Sequence, residues 1–327
     1  MHLDPFELLR PTSVDEATRL ASEHAGRFDF IAGGTDLLPN YKMHLNVRPV
    51  LISLEDVAEL RGRTLERVGA MERLADLERD RALRTAYPVL DDAVGSVATP
   101  LVRASGTVGG NLLVETRCFF FNQSLFWRSS LGYCLKADGD RCHVVPQKER
   151  CYATFSGDLA PALMVLDAEV EVAGPSGRRR FPLGELYDAG GDGIRRVKLA
   201  PGELVVAVHL PASARGLKGR YKKLRVRPSY DFPELGVAVA GRWDGGRVGA
   251  LRLALGGVET YPRRFDDLTE ALVGSHLSEE RARSLAEEVT RRVRPVHNTF
   301  LLPDYRRRMV GVYVRRALTE AREGVAA

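Results

Sequence analysis

FDFIAGGTDLL (residues 28–38) and RASGTVGGNL (residues 103–112) decide how this chain is to be read. In the first, Gly33-Gly34 follows an apolar strand and precedes a short helical start; in the second, Gly109-Gly110 runs into Asn111. Paired glycines let successive backbone N–H groups converge on one concavity and let an anion approach closely. Two such turns suit a clamp on the two phosphates of a dinucleotide from opposite sides. Either turn alone also reads as an ordinary tight turn, since the chain has 31 glycines. No G-x-G-x-x-G follows a strand and no G-x-x-x-x-G-K-[ST] occurs, which disfavours Rossmann and Walker sites.

Outward from these turns the pattern is α+β, in three lobes. Near the start, Ser13 and Glu16 form a capping box, and Ala17, Leu20 and Ala21 give a helix its apolar face. Strands are predicted at 28–32 and 50–54, and a helix near 88–98. From Leu163 the chain turns β-rich, with a strand over 165–172, a turn at 174–177, and alternation of Leu204, Val206, Val208 and Leu210. The texture changes near 211–220. Strands at 234–242 and 248–258 then join through Asp244-Gly245-Gly246, and helices at 278–293 and 304–322, capped by Ser278 and Asp304, follow.

Composition narrows the function classes. Of 327 residues, 44% are hydrophobic and 28% charged, which excludes a disordered chain and suggests two or three domains. The net charge of +5 is spread out; its dense clusters, Arg178–Arg180 and Arg306–Arg308, read as solvated faces, so no nucleic-acid partner is expected. Apolar runs such as VVAVHL (205–210) fall far short of the ~20 residues that span a bilayer, so no membrane span is expected. Met1-His2-Leu3-Asp4-Pro5 lacks the basic-then-apolar pattern of an export signal, which points to the cytoplasm.

All four cysteines, Cys118, Cys134, Cys142 and Cys151, fall in one stretch without clear period, 113–155. Chance would place four residues in so short a window roughly 0.5% of the time. Disulfides need an oxidising compartment that the chain does not signal. Structural zinc needs four close thiolates but usually draws them from two C-x(2–4)-C knuckles, absent here. An iron–sulfur cluster also takes four thiolates and accepts wide spacings, with Phe119, Phe120, Phe121, Phe126, Trp127, Leu131 and Tyr133 as a dry shell. Spacing leaves zinc and iron–sulfur equally open. His143 reads as packing or support rather than as a ligand.

AGGTDLLPNYK (32–42) with TVGGNL (107–112) resembles the flavin subunits of the xanthine dehydrogenase family of molybdenum hydroxylases, and the likeness covers essentially the whole chain. The resemblance implies a p-cresol methylhydroxylase-type FAD-binding domain of two α/β subdomains with an inserted four-cysteine loop. A C-terminal α+β domain of the CO dehydrogenase flavoprotein type follows it. The implied units are 1–58, 59–212 with the loop at 114–155, and 213–327. FAD would be held by Ile31, Ala32, Gly33, Gly34, Thr35, Asp36, Leu37 and Leu38, and by Thr107, Val108, Gly109, Gly110 and Asn111. Asp158 of SGDLAPAL (156–163) would lie beside the flavin, with Val97, Val205 and Lys222 as further contacts. Taken alone, Asp158 reads equally as a helix cap and Lys222 as a solvent-facing lysine.

Most flavin subunits of the family connect these two segments briefly, whereas here 47 positions separate Asn111 from Asp158. The extra segment resembles the insertion of 4-hydroxybenzoyl-CoA reductase β subunits, which binds a [4Fe-4S] cluster through four cysteines. It implies Cys118, Cys134, Cys142 and Cys151 as ligands. The implied role is electron transfer with no catalytic residue on this chain. Its partners would be a molybdopterin-binding large subunit and a [2Fe-2S] small subunit, in a dimer of heterotrimers. The implied reaction is reductive dehydroxylation of 4-hydroxybenzoyl-CoA with ferredoxin as donor, part of anaerobic aromatic degradation. Two alternatives stay open: the flavin subunit of a purine, aldehyde or CO-type dehydrogenase, and a zinc-stabilised structural or nucleic-acid-binding protein.

Overall fold

Ser13 caps the first helix, Val14–Glu23, by accepting from Glu16 N, while the Glu16 carboxylate reaches back to Thr12 N at 2.8 Å. The computed structural model describes residues 3–323, so Met1 and His2 of the opening pentapeptide lie outside it. Val14, Ala17, Thr18 and Ala21 turn inward from that helix. Strands Glu7–Leu9, Val50–Ser53 and Phe28–Ile31 form a parallel sheet with Val50–Ser53 central. Every residue of the central strand is buried, as a parallel strand covered on both faces requires.

The second lobe is an antiparallel sheet ordered Arg67–Gly69, Leu204–His209, Glu169–Gly174, Gly177–Pro182. Alternation predicted one buried face for its second strand, yet Leu204 through Val208 are all buried. The strand serves two cores. Leu204, Val206 and Ala207 pack toward the first lobe, and Val205 and Val208 pack among the helices of residues 74–112. The predicted strand at 165–172 begins only at Glu169, because 159–164 is a fully buried helix. A short apolar run does not distinguish a buried helix from a buried strand. Asp167, at a φ of +53°, turns the corner and is held by Arg252 and Arg264.

The third lobe is an antiparallel sheet of Arg263–Arg264, Arg247–Gly256, Leu235–Asp244 and Lys218–Leu224. Helices Glu279–Arg292 and Pro303–Glu323 share a core with Val237, Val239, Leu253 and Leu255. The opposite face presents Ala238, Ala240 and Ala254 to the second lobe's core. Small side chains there let the two lobes approach closely, which brings the Lys218–Leu224 strand to the site.

Arg178, Arg179 and Arg180 are half-exposed and pair with Glu59, Glu203 and Glu169. The other arginine cluster does not read as a solvated face. Arg306 is fully buried and donates to the carbonyls of Glu234, Val296 and Gly257 and to Asn298 Oδ1. Among the described residues no helix is long and apolar enough to cross a membrane.

Candidate functional site

The two glycine turns meet. A Cβ on Gly33 would run into the Ser105 carbonyl, and one on Gly109 would lie 2.9 Å from Ala70 Cβ. These two glycines are therefore demanded by packing. Gly34 has a φ of +68°, a region that disfavours side chains. Gly110 is exposed, and an added Cβ would meet only Thr107 Oγ1, at 3.0 Å. The Thr107 hydroxyl accepts from Gly110 N and caps the single helical turn that follows.

Between and beside the turns opens a cleft of about 500 Å³, within the usual range for cofactor sites. Ala32, Gly33, Gly34, Thr35, Asp36, Leu37, Val97, Thr107, Gly109, Gly110, Asn111, Asp158 and Val205 all line it. Ile31, Leu38, Val108 and Lys222 are not on its lining. Ile31 and Leu38 pack against Gly34, and Val108 is buried in the core beneath the second turn.

Lys222 corrects a one-residue error. It points away from the cleft and its ammonium pairs with Glu320 at 2.5 Å. Successive residues of a strand face opposite sides, so the lysine that lines the cleft is Lys223. Lys223 Nζ contacts Asp158 Oδ2 at 2.9 Å and donates to Ser96 O at 3.0 Å, and Tyr221 donates to Asp158 Oδ1 at 2.7 Å. Burial raises the Asp158 carboxyl, opposed by Lys223 and by Tyr221. Asp158 makes no capping bond, so its alternative reading as a helix cap does not hold. Leu159 N donates instead to Asn111 Oδ1 at 3.0 Å, which ties the second turn to this segment.

Several lining residues escaped the sequence reading. Glu115 and Arg196 pair at 3.0 Å, and Lys136 Nζ reaches the same carboxylate at 2.8 Å. Burial alone would raise Glu115; Arg196 and Lys136 overcome it and hold the carboxyl at about 2. Arg117 pairs with Asp36 and stacks over Phe232, 4.3 Å from its centroid. Tyr230 and Phe232 come from a loop in the third lobe. Their signal was available in the PSYDFP run, but nothing local assigns that run to this cleft.

The four cysteines are free and buried. Cys118, Cys134 and Cys151 share an apolar cluster with Leu45, Phe121, Ala137 and Ala153. Phe121 and Leu45 also line the cleft, so the two regions share these side chains. Burial pushes the Cys118 thiol up to about 12, with Cys151 and Cys134 adding to the effect. Burial likewise pushes Cys151 up to about 11; Lys136 opposes this, while Cys142 and Cys134 add to it. The backbone is fixed at each thiol: Cys118 N donates to Asn122 Oδ1, Cys142 N to Gln147 O, and Cys151 N to Asp192 Oδ1. Tyr133 and Asp138, both at a φ of +62°, wrap the chain tightly around Cys134. His143 bonds the Tyr133 carbonyl and packs on Phe120, as support rather than as a ligand. Among the described residues no group of three or more His, Cys, Asp or Glu side chains converges as a site for one metal ion.

Comparison with known proteins places this geometry in a family. Residues 4–213 match the FAD binding domain in molybdopterin dehydrogenase, and residues 219–321 match the CO dehydrogenase flavoprotein C-terminal domain. The chain belongs to the FAD-binding subunits of the xanthine dehydrogenase and CO dehydrogenase family of molybdenum hydroxylases. It is 36% identical over 258 residues to the aldehyde oxidoreductase FAD-binding subunit PaoB of Escherichia coli (strain K12), covering 76% of this chain and 80% of that one. It is 28% identical over 321 residues to the carbon monoxide dehydrogenase medium chain of Hydrogenophaga pseudoflava, covering 97% and 96%. A solved carbon monoxide dehydrogenase structure from Hydrogenophaga pseudoflava superposes with a TM-score of 0.80 at 27% identity, over the whole of both chains.

Proposed function

We propose that this chain is the FAD- and [4Fe-4S]-carrying subunit of an aldehyde-oxidising molybdenum hydroxylase. The observation that supports the relay role is a set of four free, buried cysteines, three of them in an apolar cluster that shares Phe121 and Leu45 with the cleft lining. The substrate class rests on the 36% identity to an aldehyde oxidoreductase subunit. That likeness moves the reading from the reductive direction expected from the loop to an oxidative one. The partners in this reading are a molybdopterin-binding large subunit and a [2Fe-2S] small subunit, as a dimer of heterotrimers. The units in this reading are 1–58, 59–212 and 213–327.

The donor sets suit both groups. Gly34 and Gly110 both line the cleft, and the exposed Gly110 leaves space there for close approach of a pyrophosphate. Val97 and Val205 supply apolar wall, and the Asp158–Lys223 pair sets fixed charge beside it. Four buried soft thiols, three of them in one apolar cluster, fit an iron–sulfur cluster. When bound, FAD and the cluster join two-electron to one-electron chemistry. The protein's part is to hold both, to exclude water between them with Phe121, and to fix the charges around them.

A second reading, 4-hydroxybenzoyl-CoA reductase with ferredoxin as donor, is favoured by the four-cysteine loop. The test is the purified complex, assayed for FAD, iron, sulfide and zinc, then for oxidation of aromatic aldehydes and for dehydroxylation of 4-hydroxybenzoyl-CoA. Aldehyde turnover alone supports the first reading and dehydroxylation alone the second. FAD without iron overturns the cluster in both, and zinc without flavin overturns both altogether.

A further inference from the structure

Arg128 is 1% exposed, yet it lies on the short helix Leu125–Ser130 at the outside of the cysteine loop. Its guanidinium turns inward. Nε donates to Gln123 O at 3.2 Å, and Nη2 donates to Met43 O at 2.6 Å and His44 O at 3.0 Å. Nη1 is buried and has no partner. Among the described residues Arg128 forms no ion pair; Asp138, a carboxylate that acts on it through space, is exposed. A buried cation without a carboxylate is costly and calls for a counter-charge.

The surroundings supply one. Met43 and Leu45, on either side of the carbonyls that Arg128 holds, pack in the same apolar cluster as Cys118, Cys134 and Cys151. The Arg128 carbonyl accepts from Tyr133 N at 2.9 Å, directly before Cys134, and Cys134 is within electrostatic reach of the guanidinium. The other buried cation of the loop, Lys136, is already matched by Glu115. Four thiolates around an iron–sulfur core carry net negative charge, and each added electron increases it. We propose that Arg128 is the buried counter-charge of the anionic group held by the four thiols and that it raises that group's reduction potential. It is a positioning residue acting through charge. The proposal rests on the cluster reading above and adds a residue to it.

The experiment is an EPR-monitored redox titration of the purified complex carrying Arg128→Gln, Arg128→Lys or, as an exposed control in the same loop, Lys148→Met. Gln keeps hydrogen-bonding capacity and loses the charge; Lys keeps the charge. The expected result is a tenfold or greater loss in the reduction equilibrium for Arg128→Gln, a drop of at least ~59 mV for one electron. Arg128→Lys and Lys148→Met should move less than half as far, with the flavin potential unchanged. Loss of iron in Arg128→Gln but not in Arg128→Lys also supports the proposal. Equal potentials in wild type, Gln and Lys overturn it, as does equal iron loss in both arginine variants. Wild-type complex without iron or sulfide overturns the cluster reading itself, and the metal assay recognises that case before any variant is made.

Discussion

The flavin cleft and the cysteine nest share Phe121 and Leu45 and are built on different principles. The cleft mixes apolar wall with charged groups that pair within the protein: Asp158 with Lys223 and Tyr221, Glu115 with Arg196 and Lys136, Asp36 with Arg117. The nest is apolar, burial raises the Cys118 and Cys151 thiols, and the guanidinium nitrogen Nη1 of Arg128 has no partner there. A receptor whose polar groups are already paired keeps its shape without its ligand. In the proposed reading, the soft donors and the unmatched cation of the nest are completed by a negatively charged group.

The largest effect that tests this contrast is Cys142→Ser. Iron and its visible absorbance should be lost while FAD stays near one per chain, because both glycine turns lie outside the loop; metal and flavin assays on one preparation decide it. If flavin leaves with the iron, the two regions are not separable. Next is Asp158→Asn, which strands Lys223 in a site where both side chains are 3% exposed. Removing one partner of a buried pair costs about 3–5 kcal/mol, read from urea unfolding, and FAD affinity should fall with it.

A smaller contrast lies within the cleft. Gly33→Ala drives a methyl into the Ser105 carbonyl and should cost about 1–3 kcal/mol of stability. Gly110→Ala should stay within about 0.5 kcal/mol of wild type in stability. It should nonetheless weaken FAD binding about tenfold, by ~1.4 kcal/mol. Equal behaviour of the two glycines would mean that Gly110 does not face the cofactor. The smallest effect is a pH dependence. The Glu115 carboxyl is held at about 2 in the fold, below its ordinary 4.5. Its contribution is therefore complete above about 4.5 and is lost as pH falls toward 2. The stability of wild type relative to Glu115→Gln should shrink over that window, and a constant difference would show that the carboxylate is not held by its cations.

Much of this was legible in local pattern. Ser13 and Ser278 cap the helices that follow them, and the Asp244-Gly245-Gly246 turn joins the strands it was expected to join. Caps and tight turns are decided by bonds within a few residues, so short stretches encode them. Errors arose where a neighbour in space decided. The strand expected from Val165 begins only at Glu169, because the buried helix at 159–164 ends in a turn through Asp167 held by Arg252 and Arg264, and Arg306 looked solvated because no local signal places a cavity of carbonyls around it.

The sequence by itself singled out two diglycine turns and four clustered cysteines, because such turns and cysteine clusters are rare combinations of residue types. Only the tertiary structure decided which side chains serve them. Lys223 rather than Lys222 lines the cleft because the pleat of one strand sets its register against the second lobe. Gly33 is invariable in kind because Ser105, far along the chain, presses on it. Arg128 is buried beside the thiols because the turn at Met43–His44 offers carbonyls that no neighbouring residue could supply. Hydrogen bonds and charges at these sites link segments distant in sequence, and their partners are fixed only when the lobes pack together.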